Sequence, residues 1–176
     1  MSQVPDPVRE GKAYQEHLIG LLGDDDPAEV QKGTADAFAF LIADAGAHLR
    51  ERPEPGEWSV LECFGHVADA EIVYAGRYRW IVAHDEPPLI GYDQDLWVDN
   101  LHVNEYDPQA LMERFRILRK ANLEMWARST REEREKIGQH AERGPESYDL
   151  SFRLIAGHDR FHLEQARGAL ASVRGY

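Results

Sequence analysis

Apolar residues recur at intervals of three and four along most of this chain, and proline, glycine and aspartate interrupt them. That period lays apolar side chains along one stripe of an α-helix. A short amphipathic stretch runs from about Val8 to Leu22 and ends in Gly23-Asp24-Asp25-Asp26. Asp26-Pro27-Ala28-Glu29 then offers a capping carboxylate, a proline at the first helical position and an acid in the first turn. The stripe Val30, Ala37, Phe38, Leu41, Ile42, Ala45 and Leu49 predicts a helix that ends near Arg50, ahead of Pro53-Glu54-Pro55-Gly56. Ser59-Val60-Leu61-Glu62 reads as a capping box, with Trp58 placed as its hydrophobic staple, and opens a helix to about Ala83.

Past Pro87-Pro88 a connection over 89–106 exceeds the usual loop length, so it is either functional or partly helical. Asp107-Pro108 opens a further helix with Leu111, Phe115, Leu118, Leu123 and Trp126 on its inner side. Thr130-Arg131-Glu132-Glu133 predicts a short capped helix. Ser147 caps a last helix that reaches about Val173 and closes at Gly175. No segment alternates apolar and polar residues long enough to predict a strand, and Gly138 and Gly144 make 137–145 read as irregular. Four long helices and a short extra N-terminal one predict an all-α chain folded as an antiparallel four-helix bundle. A single domain over 1–176 is expected, with 1–25 as an N-terminal extension.

Composition narrows the function classes. Lys plus Arg is 20 and Asp plus Glu is 32, a formal net charge of −12 in 176 residues. Such a chain repels phosphate backbones and anionic lipid surfaces, so neither nucleic acid nor a membrane is the expected partner. Cys63 has no second cysteine to pair with, which suits a reducing compartment. Asp6, Glu10 and Glu16 interrupt the first 22 residues, unlike a signal peptide, and no apolar run has bilayer length. A cytoplasmic protein acting on a small molecule is the expectation.

There is no phosphate-binding glycine loop, no C-x-x-C and no G-x-S-x-G. Histidine placement carries the remaining signal. His158 and His162, four apart, share a helical face with Ile155, Ala166 and Ala169, so both imidazoles point inward. Stacked core histidines can converge on one ion, or each can be hydrogen-bonded in the core; spacing alone leaves the two readings even. His66 lies on the shoulder of the apolar face of the 59–83 helix and could add a third nitrogen across a bundle interface. Asp69, three residues on, is a candidate to orient an imidazole or act on a bound water, or is simply a solvated shoulder residue. Gln165 follows the same edge as the histidine pair. Asp93, in Tyr92-Asp93-Gln94-Asp95, is either an acid/base group or turn chemistry. His102 could fold over the site with its loop; His17, His48, His84 and His140 read as mostly exposed. Cys63 reads as a buried inert thiol.

E-W-S-V-L-E-C-F-G-H-V-A-D-A-E, Glu57 to Glu71, resembles the W-S-x-x-E-x-x-x-H-x-x-D signature of the DinB-like superfamily. A-G-H-D-R-F-H-L-E-Q, Ala156 to Gln165, resembles its closing H-x-x-x-H-x-x-Q motif. The resemblance runs from about Asp26 to Val173, with Gly91 to Asp95 similar to a segment of one branch. It implies a DinB/YfiT-like four-helix bundle holding a divalent metal on His66, His158 and His162. It implies a metal-dependent hydrolase, or a transferase that uses a low-molecular-weight thiol, with Asp69, Asp93 and Gln165 as candidate substrate or supporting contacts. Zn, Ni, Fe and Mn all suit imidazole ligation. Members are often dimers, so a homodimer is a possible assembly. The alternatives are a non-catalytic metal-binding or stress-related bundle and a metal-free structural one.

Overall fold

Each long helix begins where a side chain can satisfy its free backbone N–H groups. The structure, a computed structural model, describes residues 5–6 and 9–175. Its helices are α1 Gly11–Leu22, α2 Pro27–Ala45, α3 Val60–Ala83, α4 Gln94–Asn100, α5 Pro108–Arg128, α6 Arg131–Glu135 and α7 Tyr148–Arg174. The expected start of the first helix at Val8 lies outside the described residues. Asp26 caps α2 by accepting from the N–H groups of Ala28 and Glu29. The capping box of α3 is complete: Ser59 Oγ accepts from Glu62 N–H at 3.2 Å, and Glu62 Oε2 accepts from Ser59 N–H at 2.8 Å. Arg52 forms an ion pair with the same Glu62 carboxylate.

Helices α2, α3, α5 and α7 form a four-helix bundle, and α1 lies against α7. Phe38, Leu61, Phe64 and Phe115 fill its middle, and Tyr78, Trp126, Tyr148 and Phe152 fill one end. Helix α3 is buried on all sides from Val60 to Glu71, because the 94–105 segment covers the face its partner helices leave open. That segment holds α4 and a 3-10 turn Val103–Glu105, so the long connection is partly helical. Val103 closes on Gly65 so tightly that a Cβ there would meet Val103 Cγ1 at 2.1 Å.

Two expectations are corrected. The 137–145 stretch is not irregular. Strands β2 Ile137–His140 and β3 Gly144–Ser147 form an antiparallel hairpin, and β1 Pro88–Leu89 adds in parallel to β2. Gly144, at φ 77°, takes the left-handed turn position, and Gly138 lets Leu89 pack against the strand. The glycines that argued against order therefore permit it. His140 consequently sits in a strand and is buried, not exposed.

The inner stripe of α5 also differs from expectation. Leu118 and Leu123 are only partly buried, whereas Arg119 and Asn122 face inward. Arg119 Nε donates to Glu71 Oε2 at 2.9 Å, and Arg119 Nη1 donates to Asp159 Oδ2 at 2.6 Å and to the Gln31 carbonyl at 3.0 Å. Thr34 Oγ1 donates to Asp159, and Asn122 Nδ2 to Glu71. One guanidinium thus ties together all four bundle helices. Burial pushes the Asp159 carboxyl above its ordinary value, against the opposing pull of Arg119 and Thr34.

Candidate metal centre

His66 enters from α3, and His158 and His162 from consecutive turns of α7, the helix pair in most extensive contact. The ring centroids lie 4.9 Å apart for His66 and His158, 4.5 Å for His66 and His162, and 4.3 Å for His158 and His162. One nitrogen from each ring falls within 4.8 Å of the other two, and all three rings are buried. His66 Nε2 and His158 Nε2 are 2.9 Å apart. Two nitrogens on one tetrahedral ion with bonds of 2.0–2.1 Å would stand about 3.3 Å apart, so a few tenths of an ångström separates this pair from a ligating one.

The hydrogen bonding favours ligation at His162. Its Nδ1 lies 2.7 Å from Gln165 Oε1, and a carbonyl oxygen accepts only from N–H. Gln165 therefore selects the tautomer protonated at Nδ1, leaving a lone pair on Nε2. That Nε2 is buried and has no protein partner. Burial pulls all three pKa values down: His162 to about 4, and His66 and His158 well below the usual histidine range, where neighbouring imidazoles add to the effect. The rings are neutral at pH 7, the form that binds metals. The donor set and the orphaned Nε2 fit a divalent cation.

Trp58 roofs the cluster, its ring 5.0 Å from His66 and stacked 5.8 Å from His162. The residue that staples the start of α3 thus also shields two imidazoles. Tyr92 lies 6.2 Å from His66 on the other side. Two cavities reach the histidines. The outer one, about 730 Å³, has His162, Gln165, Trp58 and Gln94 in its wall, with Glu10 and Asp95 toward its mouth. The inner one, about 70 Å³, is floored by His66 and His158.

The other candidates occupy different places. Gln165 touches His162, as described. Asp69 is buried rather than solvated; burial raises its carboxyl pKa, and its Oδ1 lies 3.8 Å from Arg114 on α5. It lines neither cavity that reaches the histidines. Asp93 is exposed and caps α4 through the N–H groups of Asp95 and Leu96. Its neighbours Tyr92 and Gln94 face the cavities instead. His102 is exposed and lines neither cavity. Cys63 is buried, and burial raises its thiol pKa.

Sequence reading missed Arg77 and His140 in the inner cavity. Arg77 lies eleven residues past His66, three helical turns along the same face of α3, so its signal was present in the spacing. His140 reaches the cavity through a strand pairing that has no local signature.

The fold and the histidine cluster define a helical bundle with a buried three-imidazole centre open to solvent on one side. The chain belongs to the DinB superfamily, whose sequence profile matches residues 32–166. Among solved structures it is similar to YfiT from Bacillus subtilis, described as a probable metal-dependent hydrolase with an unusual four-helix bundle topology. That match has a TM-score of 0.71 at 17% identity and covers 94% of this chain and 90% of YfiT. No curated protein matches the chain. Among the described residues no helix is long and apolar enough to cross a membrane.

Proposed function

We propose that this chain is a metal-dependent enzyme acting on a small molecule, a hydrolase or a low-molecular-weight-thiol S-transferase. In this reading His66, His158 and His162 hold the metal. The observation that carries it is the convergence of three neutral, buried imidazoles, one with an unpartnered inward nitrogen, beside a cavity large enough for a substrate. A purely structural histidine would have its nitrogens satisfied by the core. A divalent metal held there by His66, His158 and His162 would supply Lewis acidity, bringing the pKa of a water or thiol toward neutrality.

The chain's own residues do the rest. Gln165 fixes the tautomer and tilt of His162. Trp58 keeps water from one side of the cluster and leaves the outer cavity as the approach. Cys63 is walled off from both cavities, so a nucleophilic sulfur would have to come from a free thiol. The similarity to YfiT supports the hydrolytic form.

The test is elemental analysis of the purified chain beside His66→Ala and His158→Ala, with turnover of ester and amide substrates measured with and without added thiol. About one metal per chain is expected in the parent and a large loss in each variant, with folded helical signal retained. Unchanged metal content in either variant removes that residue from the centre. Turnover without thiol identifies the hydrolase, and turnover only with thiol the transferase.

A further inference from the structure

We propose that the inner cavity is a carboxylate-binding subsite, anchored by Arg77, that holds one end of the substrate while the other end meets the histidine centre. The substrate class is then a small molecule bearing a carboxylate. The inference rests on the metal-centre reading only for the second half of that sentence.

Arg77 is among the most deeply buried side chains, yet among the described residues no carboxylate lies within ion-pair distance of it. The buried Glu146, whose carboxyl Arg143 and Arg77 help hold below its ordinary value against burial, is paired instead with Arg143 at 2.7 Å and with the Ser151 hydroxyl at 2.7 Å. Arg77 Nη2 donates to the Ile90 carbonyl at 2.6 Å and lies 3.2 Å from His140 Nε2. Its Nε has no hydrogen-bond partner among the described residues. Its guanidinium lies 4.7 Å over the Tyr74 ring, but a buried guanidinium with no carboxylate in direct contact is costly, and a ligand carboxylate would supply the missing pair.

The rest of the cavity wall is also rich in donors. Gln15 Nε2 is buried and unpartnered. Tyr14, Tyr74 and Tyr92 line the same space, and burial raises the pKa of Tyr14 and Tyr92, so both stay protonated hydroxyls. His140 is neutral at pH 7, held down to about 4 by burial and by Arg143 and Arg77. A neutral imidazole has one lone pair, but both Arg77 Nη2 and the Glu142 N–H approach its nitrogens. One donor there is surplus. The exposed Glu142 carboxylate, at the mouth, is the acid in the lining. Donors in excess around a small space match a planar anion with two acceptor oxygens, the geometry arginine binds best.

The placement sets the length of the substrate. Eleven residues of α3 separate His66 from Arg77, about 16 Å of helical rise. The guanidinium reaches back toward the helix N-terminus, so the carboxylate and the reacting bond stand on the order of 10 Å apart.

Calorimetric titration of the chain with acetate tests this, with inorganic phosphate and chloride as comparison anions. Acetate is expected to bind in preference to both. Arg77→Met is expected to fold at least as stably as the parent and to bind acetate at least tenfold more weakly, the scale of a charged hydrogen bond. Arg77→Lys, which keeps the charge but loses the fork, is expected to fall between them. His162→Ala, at a residue that lines only the outer cavity, is expected to retain acetate binding while losing metal. Equal acetate affinity in the parent and Arg77→Met, or no binding by the parent, overturns the subsite. Tighter binding of phosphate than acetate overturns the carboxylate assignment. A His162→Ala chain that keeps its metal overturns the metal centre and leaves the subsite standing.

Discussion

Replacing Gly157 by alanine puts opposing effects against each other on one carbon atom. Gly157 lies in the interior of the 27-residue helix α7. By helix propensity alone the change stabilises the chain by about 1 kcal/mol. In the folded chain, however, the added Cβ would lie 2.0 Å from the backbone oxygen of Leu18 and 2.7 Å from its carbonyl carbon. Backbone cannot rotate away, so α1 must retreat from α7 by about 1.4 Å to bring the 2.0 Å approach to an ordinary contact of about 3.4 Å. A gap of about 0.5–1 Å already forfeits a quarter to a half of the dispersion energy across it, so this one forfeits about half. Tyr14, Leu18 and Leu22 are buried on α1, with Leu154 among their partners. Side chains of this kind contribute about 1.5–3 kcal/mol each when fully buried.

Three such side chains amount to about 4.5–9 kcal/mol, and losing about half of that costs about 2–4.5 kcal/mol, more than the propensity gain. The expected net destabilisation is therefore about 1–3.5 kcal/mol, a fall in Tm of about 3–10 °C for a chain of this size. Denaturant unfolding measures the first, and hydrogen exchange should show faster exchange concentrated in α1. Tyr14 and Leu18 also line the inner cavity beside His158, so the same substitution should loosen that cavity. A Gly157→Ala chain more stable than the parent by about 1 kcal/mol, with α1 exchange unchanged, refutes the close approach of the two helices.

Three further predictions follow from the site and the core. Acid should destabilise the metal-free chain. The His162 pKa is about 4 folded against 6.5 as its ordinary value, so the unfolded chain takes up the proton first. Stability is full above about pH 6.5 and falls as pH drops toward 4, by about 3 kcal/mol from His162 alone. His66 and His158 add loss in the same direction, and urea midpoints across that range measure it. A midpoint constant from pH 7 to 4 would contradict neutral buried imidazoles. Gln165→Leu should weaken metal affinity by about 10–100-fold in a competition assay, since it frees the His162 tautomer; unchanged affinity would make the contact incidental. Arg119→Ala should cost about 3–5 kcal/mol in chemical denaturation, because it strands Asp159 and Glu71 in the core. A loss below 1 kcal/mol would mean water or protonation relieves them.

The long helices were legible because each depends on local chemistry. Caps at Asp26, Ser59, Asp107 and Ser147, with a three-to-four apolar period behind them, mark helices wherever the chain goes. The same periodicity put His158 and His162 on one inward face, since four residues is one turn. What the sequence by itself determined was therefore helix position and which face of each helix is apolar.

Tertiary structure decided the rest, because the deciding partners are far apart in sequence. His66 meets His158 across 92 residues, a meeting that depends on α3 and α7 being neighbours. The 137–147 hairpin escaped notice because four-residue strands carry almost no pattern, and glycine reads alike in a loop and beside a packed leucine. Arg119 was not read onto the inner stripe of α5, because Glu71 and Asp159, which neutralise it there, come from other helices. A residue's own neighbours in the chain set its backbone, but the cost of burying a charge or closing a helix pair is set by atoms only the fold brings near.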